Sequence, residues 1–436
     1  MDVTARNDWS STLANTKSEN SGFFYPSVGL SWIINKTLNL PEWVSFGKLR
    51  GSWAQVGNDL PIGITSPAQT ITAGGVVKPI DYYFAEDLKP EISNSIEIGT
   101  EWKFLNSRLD FDFTFYRTDT KNQLIRVKTT AEKRAYRWIN AGKIRNTGFE
   151  VTLGGTPLMN DNFRWKTQFN FATNKNKIVS LGGTPSFQYA SGDVSIPYKM
   201  MVVEGGSLGD IYGNVFVRDA NGQIMMEPET NKDGSENDKA GLPQVTTDKA
   251  TKIGNFNPDW TLGWNNTLTY KGFSLYFLID ARVGGDVISL TQAGLDHAGV
   301  SKVTGEARMA GGYTLEGHKI ANRTDKDGKV VDMSQKFFQM VGDRGNGTTE
   351  FYRYDGTNIR LREISLGYSF PQQMLEKTGF IKGVDLSLVA RNLFFLYKDA
   401  PFDPDATMSV GNDNQGLDTF GMPSTRNIGF NIKLTF

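Results

Sequence analysis

Apolar residues occupy every second position at the end of the chain. Ile428, Phe430, Ile432, Leu434 and Phe436 alternate with polar residues or glycine. Because successive side chains of a β-strand point to opposite faces, this pattern predicts a terminal strand with one fully apolar face.

The same period of two recurs upstream. In one segment, apolar side chains at positions 109, 111, 113 and 115 alternate with Asp110, Asp112 and Thr114, so that one face carries charge and is predicted to meet water. Such segments predict twelve strands, over residues 2–10, 22–35, 45–56, 93–104, 107–129, 144–155, 163–175, 259–270, 273–285, 356–370, 384–394 and 424–436.

The connections between these strands alternate in length. Short ones lie around Asn106-Ser107, at 156–162 and at Lys271-Gly272, whereas residues 57–92, 176–258, 286–355 and 395–423 form long ones. Transmembrane β-barrels have this asymmetry, with short periplasmic turns and long outer loops. The sequence therefore predicts an all-β fold, a transmembrane antiparallel β-barrel whose carboxy terminus lies on the periplasmic side. A short helical turn is predicted at 372–379, ending at a glycine.

Two alternatives concern the architecture. A soluble β-sandwich also alternates, but its strands and loops are usually shorter than those predicted here. In lipid every backbone polar group needs a partner within the protein, so an open twelve-strand sheet cannot survive there. Either the ring closes at twelve strands, as in a self-contained small porin, or further strands are missing from this chain.

Composition narrows the classes of function. Lys+Arg and Asp+Glu are both 47 and the pI is about 6.8, which gives no electrostatic basis for binding nucleic acid. The absence of cysteine and the presence of only two histidines argue against disulfides and a zinc site. No run approaches the ~20 apolar residues of a membrane helix, and no export signal follows Met1, so we expect the natural protein to begin upstream.

Several segments together resemble the SusC/RagA branch of the TonB-dependent outer-membrane transporters. They are spread along the chain and occur in the family's order: Tyr25-Pro26-Ser27-Val28-Gly29, Lys48-Leu49-Arg50-Gly51-Ser52-Trp53, Lys89-Pro90-Glu91, Asn140-Ala141-Gly142-Lys143, Asn255-Phe256-Asn257-Pro258, Arg391-Asn392-Leu393 and Pro423-Ser424-Thr425-Arg426.

The resemblance implies that residues 1–436 form the carboxy-terminal part of a larger, 22-stranded plugged barrel. The signal, the plug and the first strands would then be absent from this chain. It further implies TonB-dependent import of an oligomeric nutrient, glycan or peptide, across the cell outer membrane. The implied partners are a SusD-like lipoprotein lid, the TonB complex through the missing amino-terminal part, and the barrel-assembly machinery, for which Phe436 is the implied membrane-assembly signal. No enzymatic activity is implied.

A hydrolase is a further alternative. Gly205-Gly206-Ser207-Leu208-Gly209 matches a G-x-S-x-G nucleophile motif, with His297 and His318 downstream. That motif requires a strand, a sharp turn and a helix, and no helical pattern follows Ser207. We therefore interpret the match as coincidence and expect no catalytic residue.

Three loop segments resemble incomplete calcium loops: Asp219-Ala220-Asn221-Gly222, Asn231-Lys232-Asp233-Gly234 and Asp325-Lys326-Asp327-Gly328. None is followed by the complete set of ligands, so we interpret them as β-turns and keep calcium as the one cofactor to test.

Aromatic side chains in the long loops are the candidates for substrate contact, since their faces can stack on sugar rings or pack on peptide side chains. The predicted residues are Tyr82, Tyr83, Trp138, Tyr189 and Tyr352. The alternative is that half or more of them pack within their own loops. Inward charges, among them Glu97, Asp112 and Glu150, are expected to line the lumen or to form structural charge ladders.

Overall fold

One antiparallel sheet forms the wall of the molecule. The computed structural model describes residues 1–66, 70–71, 75, 77–78, 82–128, 136–140, 142–182, 186–188, 198–325, 327–408 and 415–436. Within these residues the sheet has twelve strands in chain order: β1 (Asp2–Asp8), β2 (Phe23–Ile33), β3 (Val44–Asn58), β4 (Glu91–Phe104), β5 (Leu109–Lys121), β6 (Lys143–Met159), β7 (Phe163–Ser180), β8 (Trp260–Tyr270), β9 (Phe273–Val283), β10 (Asn358–Ser369), β11 (Gly383–Lys398) and β12 (Asn427–Thr435).

The twelve predicted strands and their order are confirmed. The largest boundary error concerns the predicted strand 107–129, which ends at Lys121. Asn122 has a positive φ of 57°, a conformation that turns the chain and that Asn tolerates. The following segment, Leu124–Lys128, leaves the wall and pairs with Tyr136–Asn140 in a separate small sheet.

The connections alternate as predicted. Residues 34–43, 105–108, 160–162, 271–272 and 370–382 form the short side. At Lys271 and Gly272 both φ angles are positive, 45° and 87°, which is the geometry of a two-residue hairpin turn. The predicted helical turn is also present, as α4 (Gln372–Leu375) followed by a 3-10 turn (Glu376–Thr378) that ends at Gly379 in the left-handed region.

The register separates an apolar face from a polar one. Residues that pair directly across an antiparallel sheet share a face. One such row crosses the wall through Trp102, Phe111, Leu153, Phe169, Trp264, Ile279, Leu361 and Phe394. We call this the outer face. An inner row runs through Arg50, Gly99, Thr114, Glu150, Ala172, Thr261, Arg282, Asn358 and Lys398.

The outer face is exposed rather than packed against a second sheet. Ile98 is 59% exposed and Phe430 is 79% exposed. A β-sandwich buries such rows between two sheets, so the sandwich alternative is wrong. Aromatic side chains gather at the short-turn end of this face, where Trp43 and Phe104 stack at 5.6 Å and Phe273 and Tyr368 lie 4.6 Å apart. None of the helices in the described part of the chain is long and apolar enough to span a membrane.

The ring is open in this chain. Within the described residues, β1 pairs with β2 alone and β12 pairs with β11 alone. Both edge strands therefore present unpaired backbone N–H and C=O groups, and these groups can pair with another strand. A wall that closes at twelve strands is not what this sequence forms.

The long loops fold into a cap with cores of its own. Its helices are α1 (Leu290–His297), α2 (Lys302–Met309) and α3 (Met333–Val341), with 3-10 turns at Ser11–Leu13 and Thr349–Tyr352. Another 3-10 turn, Ile34–Lys36, lies on the short-turn side, outside the cap. The loop strands are Thr70–Ile71, Val77–Lys78, Tyr82–Phe84, Leu124–Lys128, Tyr136–Asn140, Ser186–Gln188, Tyr198–Val203, Asp210–Gly213, Thr251–Asn255, Asp286–Ser289, Gly312–Leu315, His318–Ala321, Arg323–Thr324, Val330–Val331, Arg353–Asp355 and Leu417–Asp418.

The largest cap core lies around α1 and α3. Phe337, Phe338 and Val341 of α3 pack there with residues from the segment 216–242, including Phe216 and Leu242. An exposed loop cannot bury enough apolar surface to hold one conformation, whereas these loops share a core. The long connections are therefore a folded layer over one end of the wall.

Candidate functional site

Charge ladders line the inner face of the wall. The Arg50 guanidinium donates to both oxygens of Asp112 at 2.6 and 2.9 Å, and Arg362 donates to Asp280 at 2.6 and 2.9 Å. The predicted inward charges Glu97 and Glu150 also lie on this face, since they pair across the sheet with Tyr116 and Thr114. The ion pairs Arg50–Asp112 and Arg362–Asp280 are partly exposed, so each contributes about 1 kcal/mol or less to stability. Together with the other inward charges they make the inner face wettable.

A buried arginine ties one long loop to this face. Arg360 of β10 is 3% exposed and donates to Asp403 at 3.1 Å and to Asp405 at 2.5 Å. Its guanidinium lies 4.6 Å from the ring centroid of Phe395. Arg282 and Arg362 also approach Asp405, at 3.4 and 3.6 Å. We call these three cations the arginine clamp. They hold the start of loop 399–426 against β9 and β10.

The electrostatics of the clamp favour its ionised form. Burial alone would raise the pKa of Asp403, but hydrogen bonds from Ser424 and from the Asp405 amide, together with the charge of Arg360, lower that pKa below its ordinary value. Asp403 is therefore a carboxylate at neutral pH, as the clamp requires.

A cavity of about 290 Å³ opens on the inner face at the loop end of β5, β6 and β7. Its lining includes six carboxamides and, among the described residues, no Asp, Glu, Lys or Arg. The amide residues are Gln123, Asn146, Asn174, Asn176, Asn257 and Gln415. Met200, Met201, Val202 and Leu208 supply an apolar side. We call this the carboxamide cavity.

The amides are held in fixed positions by one another. The Asn146 carbonyl accepts from the amides of Asn174 and Asn176, at 3.2 and 2.9 Å. The Asn176 carbonyl in turn accepts from the Leu208 backbone N–H at 2.7 Å, and the Asn257 amide donates to the Leu208 carbonyl at 2.6 Å. The Asn146 Nδ2 has no partner among the described residues. The cavity thus presents oriented, uncharged donors and acceptors.

Sequence reasoning missed this cavity. Its amides come from positions 123, 146, 174, 176, 257 and 415, and no short motif joins them. The one available signal was local: Asn174 and Asn176 alternate on β7, and Asn176 pairs directly with Asn146 of β6, which makes an amide ladder on the polar face.

The predicted aromatic residues lie at different places in the cap. Tyr82 donates its hydroxyl to the Gly63 carbonyl at 2.8 Å, and Trp138 packs against a loop core around Leu60 and Leu88 with Arg126 5.9 Å from its ring. Tyr83 lies in the strand Tyr82–Phe84, opposite Arg137. Tyr189 lies outside the described residues. Contact of these four residues with substrate stays a prediction.

Tyr352 requires a correction. It is 2% exposed in the α1–α3 core, and its hydroxyl donates to Asp296 at 3.1 Å. Burial and the Asp296 charge both raise the pKa of Tyr352. A ring enclosed in this way has no face free for a substrate, so Tyr352 is a packing residue of the cap.

The surroundings of Ser207 do not match a nucleophile motif. The segment that follows it is the strand Asp210–Gly213 rather than a helix. The Ser207 hydroxyl donates to the Leu208 carbonyl at 3.0 Å, while His297 Nδ1 lies 3.0 Å from the Gln339 carbonyl. The hydrolase alternative therefore lacks the local fold that its chemistry requires.

The three calcium-like segments are tight turns. Gly222, Gly234 and Gly328 have φ angles of 80°, 82° and 77°, which favour glycine. In each turn the first residue's carbonyl accepts the glycine N–H, at 3.0 Å in all three. No group of three His, Cys, Asp or Glu in the described residues could hold a metal ion. Calcium binding stays a prediction.

Phe436, the implied assembly signal, is 64% exposed and stacks on Phe380 at 6.2 Å with parallel rings. Its partner belongs to the short connection 370–382. The terminal residue is thus held beside the turn before β11, on the short-turn side as predicted.

Comparison with known proteins identifies the wall. Residues 1–315 match the family described as TonB dependent receptor-like, beta-barrel. The chain is 27% identical to TonB-dependent receptor P3 of Formosa agariphila over 99% of this chain and 43% of that protein, and 23% identical to TonB-dependent receptor SusC of Bacteroides thetaiotaomicron over 92% and 39%. A solved structure of the RagAB peptide transporter superposes with a TM-score of 0.71 at 21% identity, covering all of this chain and 45% of that one. The chain spans less than half the length of these relatives.

Proposed function

This chain belongs to the TonB-dependent receptor β-barrel family, and from that premise we propose that it is the carboxy-terminal part of an outer-membrane importer of oligomeric nutrients. The relatives are named as receptors rather than enzymes, and we propose that this protein likewise carries out transport without covalent chemistry. The proposed cargo is a glycan or a peptide: the resemblance of the sequence implies either class, and the RagAB relative is named as a peptide transporter.

The observation that carries the proposal is the division of one sheet into two faces. The outer rows are apolar and exposed, whereas the inner rows carry ionised ladders and amides. A sheet of this kind is stable where hydrocarbon lies on one side and a wet passage on the other. Soluble proteins avoid exposing an apolar surface that extends over twelve strands.

The open edges support a larger ring. Unpaired strands at β1 and β12 cannot face hydrocarbon, because each unsatisfied backbone group there costs several kcal/mol. We propose that strands preceding this segment pair with both edges, that a plug fills the ring, and that its TonB-contacting segment couples transport to energy. The cap side would then receive a SusD-like lipoprotein, and the barrel-assembly machinery would recognise Phe436.

We propose that the carboxamide cavity contacts the cargo. Paired amides can donate to and accept from sugar hydroxyls or peptide groups, and fixed donors lose little entropy on binding. The described lining residues carry no charge, which suits an uncharged portion of an oligomer. Tyr82, Tyr83, Trp138 and Tyr189 remain proposed contacts around the loops.

The experiment is uptake in cells that lack the receptor and carry the complete gene in trans. Labelled oligosaccharides and labelled peptides are tested separately, with and without TonB. We expect uptake of one class only, and only with TonB; uptake that persists without TonB would support a passive porin and refute the proposal.

The cavity is tested with Asn146→Asp, which keeps a carbonyl oxygen to accept from Asn174 and Asn176 but removes the NH2 donor. We expect reduced uptake at low cargo concentration with normal receptor abundance. Asn265→Asp is the matched control, because Asn265 lies on the inner face outside the cavity and likewise accepts a hydrogen bond, from Tyr276 at 3.1 Å. Equal effects of the two variants would exclude the cavity as a contact.

A further inference from the structure

A group of cations lies on the outer face, directly beyond the apolar rows. Arg117 pairs across the sheet with Thr147, which pairs with Lys175, and the next row joins Asp119, Arg145 and Lys177. Lys121 and Lys143 pair in the row after that. We call the six cations in these rows the cationic belt: Arg117, Lys121, Lys143, Arg145, Lys175 and Lys177.

The belt begins one row above the end of the apolar face. The row below it contains Phe115 and Phe149, and Phe171, one row further down, packs against Trp260 with ring centroids 5.7 Å apart. Trp residues concentrate where hydrocarbon meets headgroups. Rows on one face are two residues apart, about 7 Å along a strand, so the belt lies at headgroup depth on the loop side.

The charge of the belt is only partly neutralised. Asp119 is the one carboxylate within its rows, and it accepts from Arg145 at 2.6 Å and lies 3.3 Å from both Arg117 and Lys143. One negative charge thus gathers three cations into a fixed group, and Lys121, Lys175 and Lys177 are exposed beside it. Six positive charges against one negative charge on a lipid-facing surface favour an anionic neighbour.

We propose that the cationic belt binds phosphate groups on the headgroups of anionic lipids in the loop-side leaflet. Guanidinium groups match phosphate oxygens with paired hydrogen bonds, and lysines add point charges. The same strands expose neutral amides on their inner face, at positions 146, 174 and 176. At the level of the belt the described cations of these strands therefore lie on the lipid side, which fits a lipid rather than a transported solute.

Lipid binding would also explain why cations are crowded on neighbouring strands, which the stability of the barrel does not require. Cations crowded on neighbouring strands repel one another, and a like-charged cross-strand pair such as Lys121 and Lys143 is unfavourable in isolation. Bound phosphates would remove that repulsion. The belt would fix the depth of β5, β6 and β7 in the bilayer and hold the adjacent wall of the carboxamide cavity in place.

The inference rests on the proposed function, which places the barrel in a membrane. The test distinguishes failure of lipid binding by the belt from failure of that membrane placement. The complete receptor is reconstituted in bilayer discs of phosphatidylcholine with phosphatidylglycerol, and retained lipids are identified by native mass spectrometry. Incorporation of the wild-type receptor into the discs tests the placement by itself. Lys175→Gln with Lys177→Gln is compared with Lys48→Gln with Lys166→Gln, which removes the same charge from the inner face.

We expect the wild-type receptor to retain phosphatidylglycerol in preference to phosphatidylcholine. Removing one cation should reduce that preference about fivefold, and removing two about thirtyfold, while the inner-face control retains it. An incorporated wild type without a preference, or equal losses in both double variants, would overturn the proposal. Displacement of phosphatidylglycerol by equimolar orthophosphate would assign the belt to free phosphate and would equally overturn the lipid assignment.

Discussion

Replacing Arg360 by Met should release the start of loop 399–426 from the wall. Met preserves much of the side-chain volume but removes the donors to Asp403 and Asp405, which would leave Asp403 buried without its cation. Breaking a buried ion pair by removing one partner costs about 3–5 kcal/mol. Because Asp405 keeps Arg282 and Arg362 nearby, we take about 3 kcal/mol, the lower end of that range.

The assay is amide hydrogen exchange in the complete receptor. The Met408 amide donates to the Leu417 carbonyl at 2.7 Å and reports on closure of the loop. A loss of about 3 kcal/mol in the free energy of local opening accelerates its exchange by about two orders of magnitude. Amides in the middle of β8 should be unaffected, since their exchange requires the wall to open.

The control is Arg391→Met, which removes an ion pair with Glu363 whose arginine side chain is 60% exposed. Exposed pairs contribute about 1 kcal/mol or less. Adding Asp403→Asn to Arg360→Met should restore part of the protection, because no buried charge remains unpaired. Unchanged exchange at Met408 in Arg360→Met, or equal acceleration in the control, would show that the clamp does not hold the loop.

Three further predictions concern assembly and pH. Deleting Phe436 removes its stack on Phe380 and the proposed assembly signal, so we expect less folded receptor; normal heat-modifiable migration on gels would contradict this. The segment 1–436 expressed alone should aggregate through β1 and β12, and a stable monomer in detergent would show that the edges close unaided. The pKa of Asp403 is lower in the folded state than the ordinary Asp value of about 4. Ionised Asp403 therefore stabilises the loop fully above about pH 4, and this stabilisation is lost as the pH falls through the folded-state pKa. Pepsin should therefore cleave within 399–408 only below about pH 4, and cleavage that already rises at pH 6 would refute the assignment.

The wall could be predicted from sequence because each strand carries its own signal. Alternation fixes which side chains share a face. If one strand slipped by one residue, all of its outer-face Phe side chains would move to the polar inner face. The strand 107–129 was overextended for a related reason: alternation resumes past Asn122, at Ile125 and Val127, and only the positive φ of Asn122 marks the turn.

The cap could not be predicted in this way. Burial of Tyr352 depends on Asp296, 56 residues earlier, and on α3, so nothing near position 352 distinguishes a packing residue from a surface one. The amides of the carboxamide cavity likewise come from five separate segments. Contacts between residues far apart in sequence determine both features, and a period of two carries no information about them.

The arginine clamp lies where the period of two fails. Leu278 pairs with Glu363 and Ile279 with Leu361, so Arg362 is an extra residue in β10, a β-bulge. With Arg360 and Glu363 on the inner face, the bulge allows Arg362 to reach Asp280 there as well, which gives three inward charged groups within four residues. A regular strand would provide two. Bulges redirect side chains at the cost of ladder hydrogen bonds, and here the departure from alternation turns Glu363 to the same face as Arg360 and Arg362, where loop 399–426 is attached. The alternation thus predicts the wall, and its local interruption marks where a loop is held against the inner face of that wall.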